Sequence, residues 1–145
     1  MVGLDFDGVV ADLRYLKEEL GKEYLSEEEL MSALEEELPP VAGVDKVFQL
    51  GVVKAIVTKR KYGRPIERWF KYWFGRVVVP VYCLGSLVSK VSKCKKLGIT
   101  VFVDDDYLTV VDLIANGIRG LWFNVEKDKD LYKFLVREGV IEDKK

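Results

Sequence analysis

Short apolar runs alternate with helix-like stretches along the whole chain. Apolar runs that predict strands lie at residues 1–6, 52–58, 77–82, 99–103 and 121–124. Between them the apolar spacing and the caps predict helices at about residues 13–25, 26–38, 44–50, 65–76, 89–97, 108–115 and 129–137. Because strands and helices alternate, we expect an α/β fold, a Rossmann-like doubly wound parallel sheet of about five strands.

The stretch at about residues 14–38 predicts a helical hairpin inserted after the first strand. Ser26 with Glu29 three residues later is a capping box, and Pro39-Pro40 ends the second helix. We expect residues 1–145 to form a single domain, with this insertion of about 25 residues acting as a small cap.

Polar side chains stand where three of the predicted strands end. Asp5 and Asp7 close the first strand, Thr58 the second and Asp104 the fourth. Parallel sheets of this kind bind ligands at the carboxyl ends of their strands. Residues two apart in a strand point to the same side, so Asp5 and Asp7 would repel each other unless a cation lay between them. A divalent cation is one solution, and an acidic turn is the alternative.

The composition excludes several other chemistries. The chain has 49% hydrophobic and 32% charged residues, a net charge of −1 and no histidine, so Ser-His-Asp and Cys-His catalysis are ruled out. Cys83 and Cys94 are too few for a disulfide framework, and we expect both to be reduced. No apolar run is long enough for a membrane span and no leader peptide is visible, which predicts a cytoplasmic protein without a membrane partner. Abundant Glu and Lys with scarce Asn and Gln resemble a thermophile composition.

Charge is distributed unevenly along the chain. Residues 54–96 contain twelve Lys or Arg and one acid, Glu67, which favours an anionic substrate. Residues 64–76 interleave basic and aromatic side chains, a pattern that can stack on nucleic acid. The aromatics run around the whole helix, however, so we expect them to serve the core or a homodimer interface through residues 69–74, and we do not expect nucleic acid as a partner.

Four segments together resemble the motifs of the haloacid dehalogenase (HAD) superfamily of aspartate-nucleophile phosphatases. They are, in chain order, residues 2–10, 55–60, 90–99 and 101–105. The lysine spacing into Cys94-Lys-Lys-Leu-Gly-Ile99 is similar to the branch that contains 5′(3′)-deoxyribonucleotidases. The match covers most of the chain outside the helical hairpin, and the small size of that hairpin departs from the fuller caps of nucleotidases.

The resemblance implies a role for each strand-end residue. Asp5 would be the nucleophile and Asp7 the general acid and base, in a Mg²⁺-dependent phosphatase that forms an aspartyl-phosphate. Asp5, Asp104 and the carbonyl of Asp7 would hold Mg²⁺, with Asp105 as a supporting partner. Thr58 would donate a hydrogen bond to the phosphoryl group. Asp106 is expected to cap the next helix instead.

The resemblance also implies one lysine that provides positive charge at the phosphoryl group. Lys90 lies nearest the strand ends, while Lys93, Lys95 and Lys96 are its rivals. Lys59 and Arg60 directly follow Thr58 and would contact the substrate beyond its phosphate, or else form a solvated loop.

The sequence leaves the substrate open. A phosphorylated small molecule, for example a nucleotide or a sugar phosphate, and a phosphoprotein all fit, as does a phosphotransferase reaction. The competing hypothesis is a non-catalytic protein with the same fold that binds an anionic ligand or nucleic acid.

Overall fold

A computed structural model describes residues 1–143, and its centre is a parallel sheet of five strands. In spatial order the strands are β3 (Val81–Cys83), β2 (Val53–Thr58), β1 (Val2–Leu4), β4 (Val101–Asp104) and β5 (Arg119–Trp122). All four strand pairs are parallel. The predicted α/β, Rossmann-like doubly wound fold is thus confirmed.

Eight helices and one 3₁₀ turn connect and flank the strands in the described residues. The helices are α1 (Arg14–Leu20), α2 (Glu27–Ser32), α3 (Val44–Gln49), α4 (Arg64–Phe74), α5 (Lys90–Leu97), α6 (Tyr107–Ala115), α7 (Val125–Asp128) and α8 (Leu131–Arg137), and the 3₁₀ turn spans Glu35–Glu37. The predicted caps are present: the side chains of Ser26, Ser89 and Asp106 each accept a backbone N–H of the helix that follows.

The insertion contains less helix than the sequence predicts. Its first helix ends at Leu20 because Gly21 takes a left-handed conformation (φ 65°) and closes the last turn. The second helix ends at Ser32, since Ala33 is extended, and only the 3₁₀ turn follows. The leucines of the predicted second helix are spaced by four residues, but they do not form one buried face, because Leu34 is 56% exposed.

The two edge strands and the last helix also differ from prediction. The third strand begins at Val81 rather than residue 77, because Pro80 has no N–H to donate to the ladder. The fifth begins two residues early, at Arg119, where pairing with β4 overrides the low strand propensity of Gly120. The short helix α7 was not predicted, and α8 begins at Leu131 rather than at residue 129.

Apolar side chains cover both faces of the sheet, as the sequence of β2 predicts. In β2 only Lys54 is exposed. On one face Phe6 meets the α4 ring of Trp69 edge-on, with the centroids 5.0 Å apart. On the other face Val57 and Phe102 belong to a smaller buried cluster.

Helix α4 also forms hydrogen bonds to the insertion at about residues 14–38. The indole N–H of Trp69 donates to the carbonyl of Leu38 at 2.5 Å, and that of Trp73 donates to the carbonyl of Glu35 at 3.0 Å. Trp69 is buried, whereas Tyr72 is 56% exposed. The aromatic helix therefore serves the core, and a homodimer through its exposed remainder stays a prediction. No helix among residues 1–143 is long and apolar enough to cross a membrane.

Candidate active site

The strand order places the predicted site residues at one edge of the sheet. β1 lies between β2 and β4, and the N–H of Asp5 donates to the carbonyl of Val103 at 2.9 Å, which extends the β1–β4 pairing by one residue. Asp5 and Asp104 therefore stand side by side where β1 and β4 end, and Thr58 closes β2 beside them. This is the topological switch point, where open α/β sheets bind their ligands.

Three carboxylates converge at this edge. Asp5, Asp104 and Asp105 each offer an oxygen, and these oxygens all lie within 4.8 Å of one another. Asp5 is 7% exposed and Asp104 fully buried. The carboxylate of Asp7, a predicted ligand through its backbone carbonyl, is not a member of this group.

Lys90 is the cation that the structure brings to these carboxylates. Its Nζ lies 2.6 Å from Asp104 Oδ2 and 3.1 Å from Asp5 Oδ1, and the residue is 6% exposed. It is the first residue of α5, whose start is fixed by the Ser89 cap. Lys93 instead lies over the ring of Tyr82, with its Nζ 4.4 Å from the centroid. Of the candidate lysines in this helix, Lys90 is the one that contacts the carboxylates.

Burial and charge crowding change the acidity of the cluster. Burial raises the pKa of Asp5 well above its usual range, and the neighbouring carboxylates add to this effect although Lys90 opposes it. Burial and the charge of Asp104 raise the pKa of Asp105 to about 6. The pKa of Lys90 lies above its ordinary value: burial would lower it, but Asp5 and Asp104 more than compensate. When all three carboxylates are ionised, the single positive charge of Lys90 therefore leaves a net negative charge in the cluster.

The cluster fits a hard divalent cation. Its donors are all carboxylate oxygens, the type of ligand that Mg²⁺ and Ca²⁺ prefer, and they come from two adjacent strand ends. A cation there would offset the burial and the carboxylate repulsion that together raise the pKa values of Asp5 and Asp105.

Gly8 makes room for this cluster, a role that sequence reasoning missed. It has φ +82°, and a Cβ on it would lie 2.2 Å from Asp105 Oδ2. Any side chain at this position would displace the Asp105 carboxylate and strain the backbone. The glycine that follows Asp7 in the sequence is the signal that could have indicated this close approach.

Asp7 is bound by Arg60 on the neighbouring strand end. Arg60 Nε donates to Asp7 Oδ2 at 2.8 Å, and a second guanidinium nitrogen donates to Oδ1 at 2.6 Å. The two residues are 53 positions apart in sequence, so no local pattern predicts this pair. Arg60 is 4% exposed.

Thr58 and Lys59 are also engaged within the protein. Thr58 is 2% exposed, and its hydroxyl oxygen accepts the backbone N–H of Arg60 at 3.2 Å, which leaves the hydroxyl proton available for a ligand. The Nζ of Lys59 donates to the carbonyl of Val88 at 2.6 Å. Both residues line the cavity at the sheet edge, and their contacts with a substrate stay predictions.

A cavity of about 300 Å³ opens over the carboxylates and is partly roofed by the insertion. Glu27 and Leu30 of α2 line it together with Asp5, Thr58 and Lys90. The Glu27 carboxylate accepts the backbone N–H of Lys61, which fastens α2 to the loop after β2. The sequence places α2 in a cap but contains no signal for which of its residues face the site.

Comparison with known proteins adds no family or relative to these observations. Neither a scan against protein-family models nor a search of curated proteins finds a match for this chain. The chemistry of the side chains at the sheet edge is therefore the basis for assigning a function.

Proposed function

We propose that this protein is a Mg²⁺-dependent phosphatase that hydrolyses a phosphate monoester through an aspartyl-phosphate on Asp5. The observation that carries the proposal is the group formed by Asp5, Asp104 and Asp105, with the buried ammonium of Lys90 in contact with Asp5 and Asp104. The resemblance of the four motifs to the HAD superfamily supports the same chemistry. The phosphotransferase variant differs only in the acceptor of the second step.

In the first step a carboxylate oxygen of Asp5 attacks phosphorus. The bond between phosphorus and the ester oxygen breaks, and that oxygen leaves with a proton given by Asp7. In the second step a water oxygen attacks phosphorus and gives its proton to Asp7. The bond between phosphorus and Asp5 then breaks, so inorganic phosphate is released and both carboxyl groups are restored.

Two side chains and a metal ion would support the phosphoryl group during both steps. Lys90 contributes a fixed positive charge, held in place by two carboxylates and 6% exposed, so it needs no reorganisation as charge develops. The hydroxyl of Thr58 donates a hydrogen bond to a phosphoryl oxygen. Mg²⁺ would be held by Asp5 and Asp104, with Asp105 and the carbonyl of Asp7 completing or supporting its shell, and it would offset the repulsion between two anionic reactants.

We propose a phosphorylated small molecule as the substrate, a nucleotide among the candidates. A cavity of about 300 Å³ has room for a phosphoryl group and a modest leaving group. The carboxylate of Glu27 at its roof disfavours a second anionic group close to the phosphate.

The test is hydrolysis of 4-nitrophenyl phosphate by the wild type and by Asp5→Asn, each with Mg²⁺ and with EDTA. We expect Mg²⁺-dependent turnover by the wild type and a loss of at least about a thousandfold in Asp5→Asn, since no other nucleophile replaces the carboxylate. A panel of phosphorylated metabolites then identifies the leaving group.

Absence of turnover by the wild type with Mg²⁺, at 25 °C and at high temperature, on both the aryl ester and the metabolite panel would contradict the proposal. Equal turnover by Asp5→Asn and the wild type would contradict the assigned nucleophile.

A further inference from the structure

The guanidinium of Arg60 forms hydrogen bonds within the protein, although the residue also lines the cavity at the sheet edge. It forms a fork to both oxygens of Asp7, at 2.8 and 2.6 Å, and its Cζ lies 5.3 Å from the centroid of the Phe6 ring. Phe6 is completely buried between Asp5 and Asp7 in the chain, and the side chain of Arg60 is 3% exposed. A side chain with one face on a buried ring and one edge on a carboxylate has little surface left for a substrate.

We propose that Arg60 is a positioning residue, which acts on the reaction through Asp7 and not through the substrate. The inference rests on the proposed function, in which Asp7 gives and takes the proton. It differs from the prediction made from sequence, in which Arg60 follows Thr58 and contacts the substrate.

The fork fixes the plane of the Asp7 carboxylate as well as its distance. Two parallel N–H···O bonds hold a carboxylate in one orientation, whereas a single ammonium contact lets it rotate. The side chain of Asp7 is 18% exposed and lines the cavity at the sheet edge, so it remains accessible to a substrate. The forked group is an ionised carboxylate, the form that accepts the proton of the attacking water in the second step. A base must lie within hydrogen-bond distance of that proton, and a misplacement of about 1 Å costs on the order of a hundredfold in rate.

The experiment separates the effect on rate from the effect on binding. Four variants are compared with the wild type: Arg60→Gln, Arg60→Lys, Asp7→Asn and the Asp7→Asn/Arg60→Gln double variant. For each we measure kcat with 4-nitrophenyl phosphate and the inhibition constant of inorganic phosphate, which reports binding without chemistry.

We expect Arg60→Gln to lower kcat by about a hundredfold and to change the inhibition constant of phosphate by less than about twofold. Arg60→Lys keeps the charge but not the fork, so it restores less than about a tenth of the lost rate. In the Asp7→Asn background, removal of Arg60 changes kcat by less than about threefold, because the residue through which it acts is gone.

Arg14 provides the matched control. It forms a similar fork to Asp12, with Nε donating to Oδ1 at 3.1 Å and a second guanidinium nitrogen donating to Oδ2 at 2.7 Å, but 44% of its side chain is exposed and neither residue belongs to the carboxylate group. Arg14→Gln should leave kcat and the inhibition constant unchanged.

Two results would overturn the inference: an inhibition constant for phosphate raised tenfold in Arg60→Gln, or losses in kcat that add in the double variant. If Arg60→Gln does not fold, the double variant still decides, because it leaves neither partner of the buried pair charged and alone. It must then match Asp7→Asn in kcat, and a further loss overturns the inference. Failure of the proposed function is distinct, since the wild type itself would then show no Mg²⁺-dependent turnover.

Discussion

Burial of charge distinguishes the carboxylates at the sheet edge from an ordinary acidic turn. An exposed acidic turn keeps its carboxylates in water, whereas Asp5 and Asp104 are nearly inaccessible and share one ammonium. The raised pKa values of Asp5 and Asp105 record the free-energy cost of this arrangement. Without a cation, the buried carboxylates therefore destabilise the folded protein relative to apolar side chains at the same strand ends.

Replacement of Asp105 by Asn should stabilise the cation-free protein at high pH. Burial and Asp104 raise the pKa of Asp105 to about 6 in the folded state, against 3.8 when unfolded. As pH rises through this interval the unfolded state loses the proton first, so the wild type loses stability up to about pH 6. We expect Asp105→Asn to exceed the wild type by about 1–3 kcal/mol at pH 8 and by much less at pH 4.5.

Urea unfolding in EDTA at these two pH values measures the effect. Asp106→Asn is the control, because Asn is an equally good N-cap and should give the same small difference at both pH values. An equal gain for Asp105→Asn at pH 4.5 and pH 8 would contradict the electrostatic explanation.

Lys90 and Lys93 should differ sharply in what their removal does. Lys90→Gln leaves Asp5 and Asp104 without their buried cation, for which we expect a loss of about 3–5 kcal/mol in the free energy of unfolding. Lys93→Gln removes only a cation–π contact with Tyr82, worth about 0.5–1 kcal/mol.

Urea unfolding and phosphatase assays of both variants provide the measurement. We expect turnover to disappear in Lys90→Gln and to persist in Lys93→Gln. The reverse order of activities would identify Lys93 as the lysine of the reaction.

The helices near the site differ in how many of their side chains are buried in the core. α4 buries Ile66, Trp69 and Phe70, whereas α2, which roofs the cavity, buries none of its residues. Helix α2 depends instead on its capping box and on contacts such as that of Glu27 with the loop after β2. A roof of this kind can open without unfolding the rest of the protein.

Ser26→Ala should therefore loosen α2 alone. Loss of the cap costs about 1 kcal/mol, which corresponds to an increase of about fivefold in opening of this helix. Hydrogen exchange followed by mass spectrometry should show faster exchange in peptides covering residues 26–33 and no change in β1 or β4. Glu28→Ala, in the same turn but outside the capping box, is the control, and an equal acceleration across the sheet would show that α2 is not an independent unit.

The sequence predicts the strand ends of the site better than its roof. Asp5, Thr58 and Asp104 could be placed together because the carboxyl ends of parallel strands meet at one edge, a rule that depends only on the order of strands and helices. The fork between Arg60 and Asp7 and the position of Glu27 depend on side-chain packing between distant segments, which leaves no periodic signal. The start of β5 differs from prediction because pairing with β4, and not local propensity, determines it. The start of β3 could have been predicted, because Pro80 is a local signal that a strand does not extend through this position.

At the scale of the molecule, the fold brings three carboxylates to the sheet edge, and three basic side chains of the segment 54–96, namely Lys59, Arg60 and Lys90, line the same cavity. Twelve Lys or Arg lie within residues 54–96, which supply β2, α4 and α5, while the carboxylates come from β1 and β4. This distribution suits a site that binds a cation and an anion together.

Mg²⁺ should stabilise the folded protein, because the proposed site is assembled only in the folded state. At a tenfold excess over its dissociation constant we expect a gain of about 1.4 kcal/mol in the free energy of unfolding. Thermal unfolding at pH 8 with increasing Mg²⁺ measures this gain. The gain should be lost in Asp5→Asn and smaller at pH 5, where Asp105, with its pKa of about 6, holds a proton. An equal gain in Asp5→Asn would show that the ion binds elsewhere.

Chemical trapping of the acyl phosphate would identify the nucleophile directly. The protein is mixed with 4-nitrophenyl phosphate and Mg²⁺, then quenched with borohydride, which reduces an aspartyl-phosphate to homoserine. Peptide mass spectrometry reads the residue that has changed. The account predicts homoserine at position 5 in the wild type and none in Asp5→Asn. Turnover accompanied by homoserine at another aspartate, or at none even in the slow Asp7→Asn variant, would contradict it.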